Sequence, residues 1–114
     1  LAVRSHGKER FFAPGGKREP GEDDQVALIR EIREELTVEL DVKSLQYVDE
    51  FRAPADGRQD AEVRMRCYLG GYTGTLSPSA EIAELRWFTS DALVSCSLAL
   101  RKVMEWCRER DLID

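Results

Sequence analysis

The stretch that decides the fold runs from Gly16 to Val38, GKREPGEDDQVALIREIREELTV, in which a glycine-rich turn leads into a helical pattern carrying Glu31, Glu34 and Glu35 behind Arg30. The three glutamates stand at i, i+3 and i+4. At about 100° per residue they fall on one helical face, close enough to share a divalent cation. Without a cation they repel one another. A surface helix rich in Glu and Arg is ordinarily a solvated face held by i,i+4 pairs, but here Arg30 precedes Glu34, the weaker orientation for such a pair, and Glu31 faces two like charges. Stability alone does not favour that arrangement, and it leaves the glycine turn at its fixed spacing unexplained.

The run resembles the Nudix box, in which Gly, five residues, Glu and seven residues precede Arg-Glu-apolar-x-Glu-Glu-x-Gly-apolar. Gly16, Glu22, Arg30, Glu31, Ile32, Glu34, Glu35 and Val38 all fit. The flanking Pro14-Gly15-Gly16-Lys17 and Glu19-Pro20-Gly21-Glu22 look like the extended box of MutT-like members, and the box covers about a fifth of the chain. One position departs. Thr37 stands where the family has the left-handed glycine that ends the helix, a conformation a β-branched residue tolerates poorly, so the helix exit is expected to differ.

The resemblance implies an α/β fold, an α/β/α sandwich with a mixed β-sheet between helices, and a metal-dependent hydrolysis of diphosphates. Carboxylates and backbone carbonyls are the preferred ligands of the hard cations that neutralise phosphate oxygens and acidify water. By the resemblance Glu31, Glu34 and Glu35 hold Mg²⁺, with Mn²⁺ able to substitute. The Gly15 carbonyl is an additional ligand, and Glu31 is also a candidate general base. Arg30 is expected to orient a glutamate by hydrogen bonding, a task suited to a guanidinium fork. MutT-like relatives carry one more glutamate just upstream of a strand ending in Trp. Glu81, six residues before Trp87, matches best, and Glu84 competes.

The expected activity is therefore pyrophosphohydrolysis of a nucleoside diphosphate derivative, foremost a nucleoside triphosphate cleaved to the monophosphate and pyrophosphate. An ADP-ribose pyrophosphatase is the rival within the family, because Pro54 lies sixteen residues beyond Val38. A non-catalytic Nudix-fold nucleotide-binding module is the rival outside catalysis. Such modules commonly lose a box glutamate, and none is lost here.

Composition narrows the partners. With 114 residues the chain is expected to form one domain, 1–114, and its opening at Leu1 inside a strand-like pattern leaves room for an upstream segment. The net charge of −5 argues against holding nucleic acid by its phosphates. No apolar run approaches the ~18 residues of a membrane span. Cys67, Cys96 and Cys107 are odd in number and free of CxxC spacing, as for thiols in a reducing, cytoplasmic setting. His6 is the only histidine, too few for a His-based metal site or a Ser-His-Asp triad. Monomer and homodimer are both left open.

Along the chain, Leu1–Arg4 and Phe11–Ala13 read as strand pieces, and Asp23 and Asp24 as N-cap candidates for a helix whose stripe Val26, Ile29, Ile32 and Leu36 faces the core, with the glutamates on the other side. Strands are expected over Val38–Val42, Leu45–Phe51, Val63–Gly70 and Ile82–Phe88. A loop is expected over Ala53–Gln59 and a closing helix over Ser97–Arg110. Glu19 and Glu22 are divided between site and loop roles. Lys17 and Arg18 are candidate phosphate contacts that solvent equally explains, and Phe11, Phe12, Tyr47, Phe51 and Tyr68 divide between core packing and a base-stacking platform.

Overall fold

The computed structural model describes residues 1–55 and 58–114, with the backbone alone for Arg58 and Gln59. The first strand, β1 (Ala2–Ser5), pairs antiparallel with β6 (Ile82–Arg86), placing Val3 opposite Leu85 and Arg4 opposite Glu84. Successive strand side chains point to opposite faces. Ala2 therefore packs with Phe11, Cys96, Leu100 and Met104, whereas Val3 packs with Ile32, Leu36, Val38 and Ile82. Leu100 and Met104 belong to α2 (Leu98–Glu109), and Ile32 and Leu36 to α1 (Asp24–Leu36), so the ladder lies between two helices as the sandwich requires. Burial of each such aliphatic side chain contributes roughly 1.5–3 kcal/mol. Phe11 and Phe12 repeat the alternation. Phe12 bridges Val3 antiparallel and Phe11 makes one isolated parallel bridge to Cys96; among the described residues the strand ladders themselves are three antiparallel pairs, so that bridge is the one parallel element where a mixed sheet was expected.

The other ladders are antiparallel. Strand β2 (Glu39–Leu40) pairs with β5 (Tyr72–Thr73), and β3 (Gln46–Ala55) with β4 (Arg58–Leu69). The expected strand Val38–Val42 is thus cut to two residues. The Asp41 carboxylate accepts from the Lys43 amide at 3.2 Å and turns the chain into a 3₁₀ helix over Val42–Ser44. The expected loop Ala53–Gln59 is shorter as well: Ala53 is buried and paired with Val63, and Pro54 pairs with Glu62. A two-stranded ladder leaves alternate amides without a strand partner, so it accommodates proline. Residues 56 and 57 of that loop lie outside the described ones.

Helix α1 is capped by Asp23, whose side chain accepts from the Val26 amide at 2.9 Å. Its buried face is rotated from the expected stripe. Val26 is 48% exposed, while Ala27, Ile32, Glu35 and Leu36 are buried, so the glutamates do not all lie opposite the core. The exit also departs from expectation: Thr37 takes the left-handed conformation itself, φ 60° and ψ 28°, and donates its amide to Arg33 O at 3.1 Å. Helix α2 starts at the Ser97 cap, which accepts from the Leu100 amide at 3.2 Å. Among the described residues no helix is long and apolar enough to cross a membrane, and all three cysteines are free thiols.

Candidate metal centre

Glu31 and Glu35, one turn apart on α1, and Glu81, at the entry to β6, each bring a carboxylate oxygen within 4.8 Å of the others. Local contacts explain how residues so distant in sequence meet. The end of α1 leaves carbonyls without helical donors. Ser77 donates its amide to Leu36 O and Ser79 to Glu35 O, both at 3.0 Å, so the helix that carries two carboxylates also clasps the segment that delivers the third. A tight turn follows, with Ala80 at φ 53° and the Ile82 amide donating to Ser79 O at 3.0 Å. The His6 amide then donates to Glu81 O at 2.9 Å, tying the segment to the chain just beyond β1.

Glu35 is 4% exposed and accepts the Gly15 amide at 2.8 Å. Burial pushes its carboxyl up to about 8, with Glu81 and Glu31 adding to the rise and the Gly15 amide opposing it. Glu31 accepts from Arg30 Nη1 at 2.7 Å. The same guanidinium grips Glu22 through both oxygens, Nε to Oε2 at 2.7 Å and Nη2 to Oε1 at 2.8 Å, and donates to the Lys17 carbonyl at 3.1 Å. Arg30 thereby ties the glycine turn to the helix and fixes Glu31. Its hydrogen bonds, with the Glu19 amide, hold Glu22 down to about 2. Glu19 stands at 3.7 Å from Arg30 on the turn's outer side.

The structure brings Glu31, Glu35 and Glu81 together and does not bring Glu34 with them. A 100° step separates Glu34 from Glu35 around the helix. Its side chain is 53% exposed and, among the described residues, its ion-pair partner is Arg30, at 3.5 Å. Glu84, the competitor of Glu81, is taken up by Arg4 at 3.1 Å and Arg86 at 2.5 Å. Gly15 and Gly16 line the same cleft as Glu35 and Glu81. A side chain on Gly16 would collide with the Glu31 carboxylate, a Cβ there lying 2.6 Å from Glu31 Cδ.

The cleft encloses about 970 Å³ and runs on to Tyr68, one of the candidates for a base-stacking platform, and to Asp24 and Arg66, for which the sequence suggested no site role. Asp24 is not the helix cap. It accepts from Arg66 Nε and from the Tyr68 hydroxyl, both at 2.5 Å, and Arg18 stands 3.3 Å away. Of the aromatic residues considered as a platform, Phe11 and Phe12 pack in the two cores, and Tyr47 meets Tyr68 edge-on at 5.3 Å. The all-oxygen, anionic donor set of Glu31, Glu35 and Glu81 suits a hard divalent cation, which would relieve the repulsion that lifts Glu35.

A family model described as NUDIX domain matches residues 1–107. Among solved structures the chain is similar to the solution structure of the E. coli ORF135 protein, with 28% sequence identity and a TM-score of 0.68 over 92% of this chain and 75% of that one. No curated protein matches it.

Proposed function

The chain belongs to the Nudix family, and we propose that it cleaves a nucleoside triphosphate to the monophosphate and pyrophosphate with Mg²⁺, or Mn²⁺ in its place. As a Nudix pyrophosphohydrolase it acts on phosphorus-containing anhydrides. The observation that carries the finer reading is the convergence of Glu31, Glu35 and Glu81 beside the glycine turn, where Glu35 and Glu81 line a cleft large enough for a nucleotide. These three would hold the cation. Gly15, whose amide already holds Glu35, offers its carbonyl as a further ligand, and Glu34 adds charge from the solvent side.

A cation bound there supplies neutralisation of phosphate oxygens and acidity to water. The protein's own groups do the rest. Arg30 fixes one oxygen of Glu31 at 2.7 Å, so the other serves either as the cation's ligand or, with the cation held by Glu35 and Glu81, as the base that takes the proton of the attacking water. The Gly15 amide fixes Glu35 in one orientation, and the clasp of residues 77–79 on α1 keeps Glu81 in register with both. ADP-ribose as substrate has only Pro54 behind it, a β3 residue opposite Glu62.

A panel of nucleoside triphosphates, ADP-ribose, dinucleoside polyphosphates and nucleotide sugars, assayed with Mg²⁺ and Mn²⁺ at neutral and alkaline pH, tests the reading. Triphosphates are expected to be turned over best, and Glu31→Gln to lower kcat by about 10²- to 10⁴-fold. Metal-dependent turnover of ADP-ribose alone would overturn the substrate assignment, and turnover of nothing would leave a binding module.

A further inference from the structure

The cleft has a second wall that the hydrolysis of phosphates does not use. Arg66 and Tyr68 stand two residues apart on β4 and so point to one face, where both meet Asp24 at the start of α1. Arg66 is held in two directions. Its Nε donates in plane to Asp24, and its guanidinium lies over the Tyr47 ring with Cζ 4.9 Å from the centroid. Tyr47 in turn braces Tyr68 edge-on. Three donors, from Arg18, Arg66 and Tyr68, converge on a carboxylate whose side chain is only 16% exposed, whereas Arg66 itself remains half exposed. Arg66 also meets the Tyr68 hydroxyl that Asp24 holds, and among the described residues neither of its terminal nitrogens donates to a carboxylate or carbonyl. A guanidinium so fixed presents a fork of N–H donors and no acceptor.

The fork lies at the far end of the site. Asp24 precedes Glu31 by seven residues and Glu35 by eleven, which at the helical rise is about 10 and 16 Å along the axis. With the phosphates at the carboxylates, the other end of a nucleotide reaches this wall. The ion pairing at this wall also suits an uncharged base: Asp24 pairs with both Arg18 and Arg66, and Arg64 of the same cleft pairs with Glu62.

Resting on the nucleotide reading of this site, the geometry points to Arg66 as the residue that selects the base, by donating both terminal N–H groups to a base edge with two adjacent acceptors. Guanine offers O6 and N7, and cytosine O2 and N3. Adenine and uracil place a donor beside each Watson–Crick acceptor, and adenine has its amino group next to N7, so neither satisfies the fork. Asp24 and Tyr47 are positioning residues that hold Arg66 in place.

The test has two arms. Titration of GMP, CMP, AMP and UMP into the protein in EDTA, followed by NMR shifts, reads base preference without turnover. Hydrolysis of the four ribonucleoside triphosphates with Mg²⁺ reads it in kcat/KM. Guanine and cytosine are expected to be favoured about 5- to 100-fold in both, the range of one bidentate base contact. Arg66→Gln should bring the four within about threefold by lowering the favoured pair, and Arg66→Lys, which keeps the charge and loses the fork, should do nearly the same. Equal binding of all four monophosphates by the parent overturns the inference. So does a uniform loss across bases in Arg66→Gln that Arg66→Lys restores, because that pattern belongs to a phosphate contact. Discrimination among monophosphates with no triphosphate hydrolysed sustains the inference while the proposed activity fails, whereas hydrolysis of all four at equal kcat/KM does the reverse.

Discussion

The Glu31 carboxylate occupies the space that a side chain on Gly16 would fill, since a Cβ built there lies 2.6 Å from Glu31 Cδ and 2.7 Å from both carboxylate oxygens. The glycine at the head of the box is thus a hole shaped for the carboxylate seven turn and eight helix residues further on, and not only a flexible hinge. Gly16 has no positive φ, so its freedom of conformation is not what the site uses.

Gly16→Ala should therefore damage function far more than stability. The colliding atoms are the end of a flexible side chain, which swings aside at low cost, so the expected stability change is under about 1 kcal/mol. Displacing Glu31 breaks its contact with Arg30 and its place beside Glu35, and kcat is expected to fall about 10²-fold or more. Urea melts and steady-state kinetics on one preparation check both halves. A variant that melts like the parent and turns over like it would show that Glu31 has no required position.

Glu81→Gln should lower kcat more than it raises KM, because a carboxylate that completes the cluster acts chiefly on the transition state. Glu84→Gln is the control. Its carboxylate is committed to Arg4 across the β1–β6 ladder and to Arg86 on its own strand, so it is expected to lose a little stability and keep its kinetics. Kinetics in which Glu84→Gln is the crippled enzyme would reverse the assignment.

Which parts of this site could be read from sequence follows from how far apart the parts are. Glu31, Glu34 and Glu35 were legible because helical periodicity acts over a few residues, and Glu81 only through the resemblance to MutT-like relatives, which carry a glutamate ahead of a strand ending in Trp. Periodicity alone placed Glu34 with the others. It missed that the buried face is centred on Ala27, Ile32 and Leu36, which draws Glu35 inward and leaves Glu34 in solvent. The strand pair Glu39–Leu40 with Tyr72–Thr73 is too short for an alternating pattern. The Asp24–Arg66–Tyr68 cluster left no local signal as a cluster, because Arg66 and Tyr68 lie 42 and 44 residues from Asp24 and meet it only where β4 passes the start of α1.

Thr37→Gly should stabilise the protein. A β-branched residue at φ 60° carries strain of the order of 1–3 kcal/mol. Against its relief stand the greater unfolded-state freedom of glycine, roughly 0.5–1 kcal/mol, and the loss of an exposed bond from Thr37 Oγ1 to Thr75 O at 3.3 Å. The net gain expected is about 0.5–1 kcal/mol, a rise in Tm of roughly 2–5 °C. Equal or lower Tm in Thr37→Gly would mean that the Thr75 contact outweighs the strain.

The metal-free protein should lose stability as pH rises from about 4.5 to about 8, and Glu35 sets that slope. Its folded carboxyl is raised to about 8 from an ordinary value of 4.5, so the folded state keeps a proton that the unfolded chain has released across this window. The contribution is fully present below about pH 4.5 and is lost by the time pH passes 8. For a group this buried it is of the order of a few kcal/mol. Glu35→Gln cannot ionise, and its amide oxygen can still accept the Gly15 N–H. The variant should show a shallower slope than the parent and be the more stable protein at pH 8 in EDTA. Glu34→Gln, exposed and outside the cluster, should track the parent. Millimolar Mg²⁺ should stabilise the parent at pH 8 much more than Glu35→Gln, because a cation that binds only the folded cluster adds its binding free energy to folding. Urea midpoints at pH 5, 6.5 and 8, with EDTA and then with Mg²⁺, measure all of this. A parent and a Glu35→Gln variant with parallel pH profiles would show that Glu35 is ionised in the folded protein without a cation and that the cluster is not strained by its own charge.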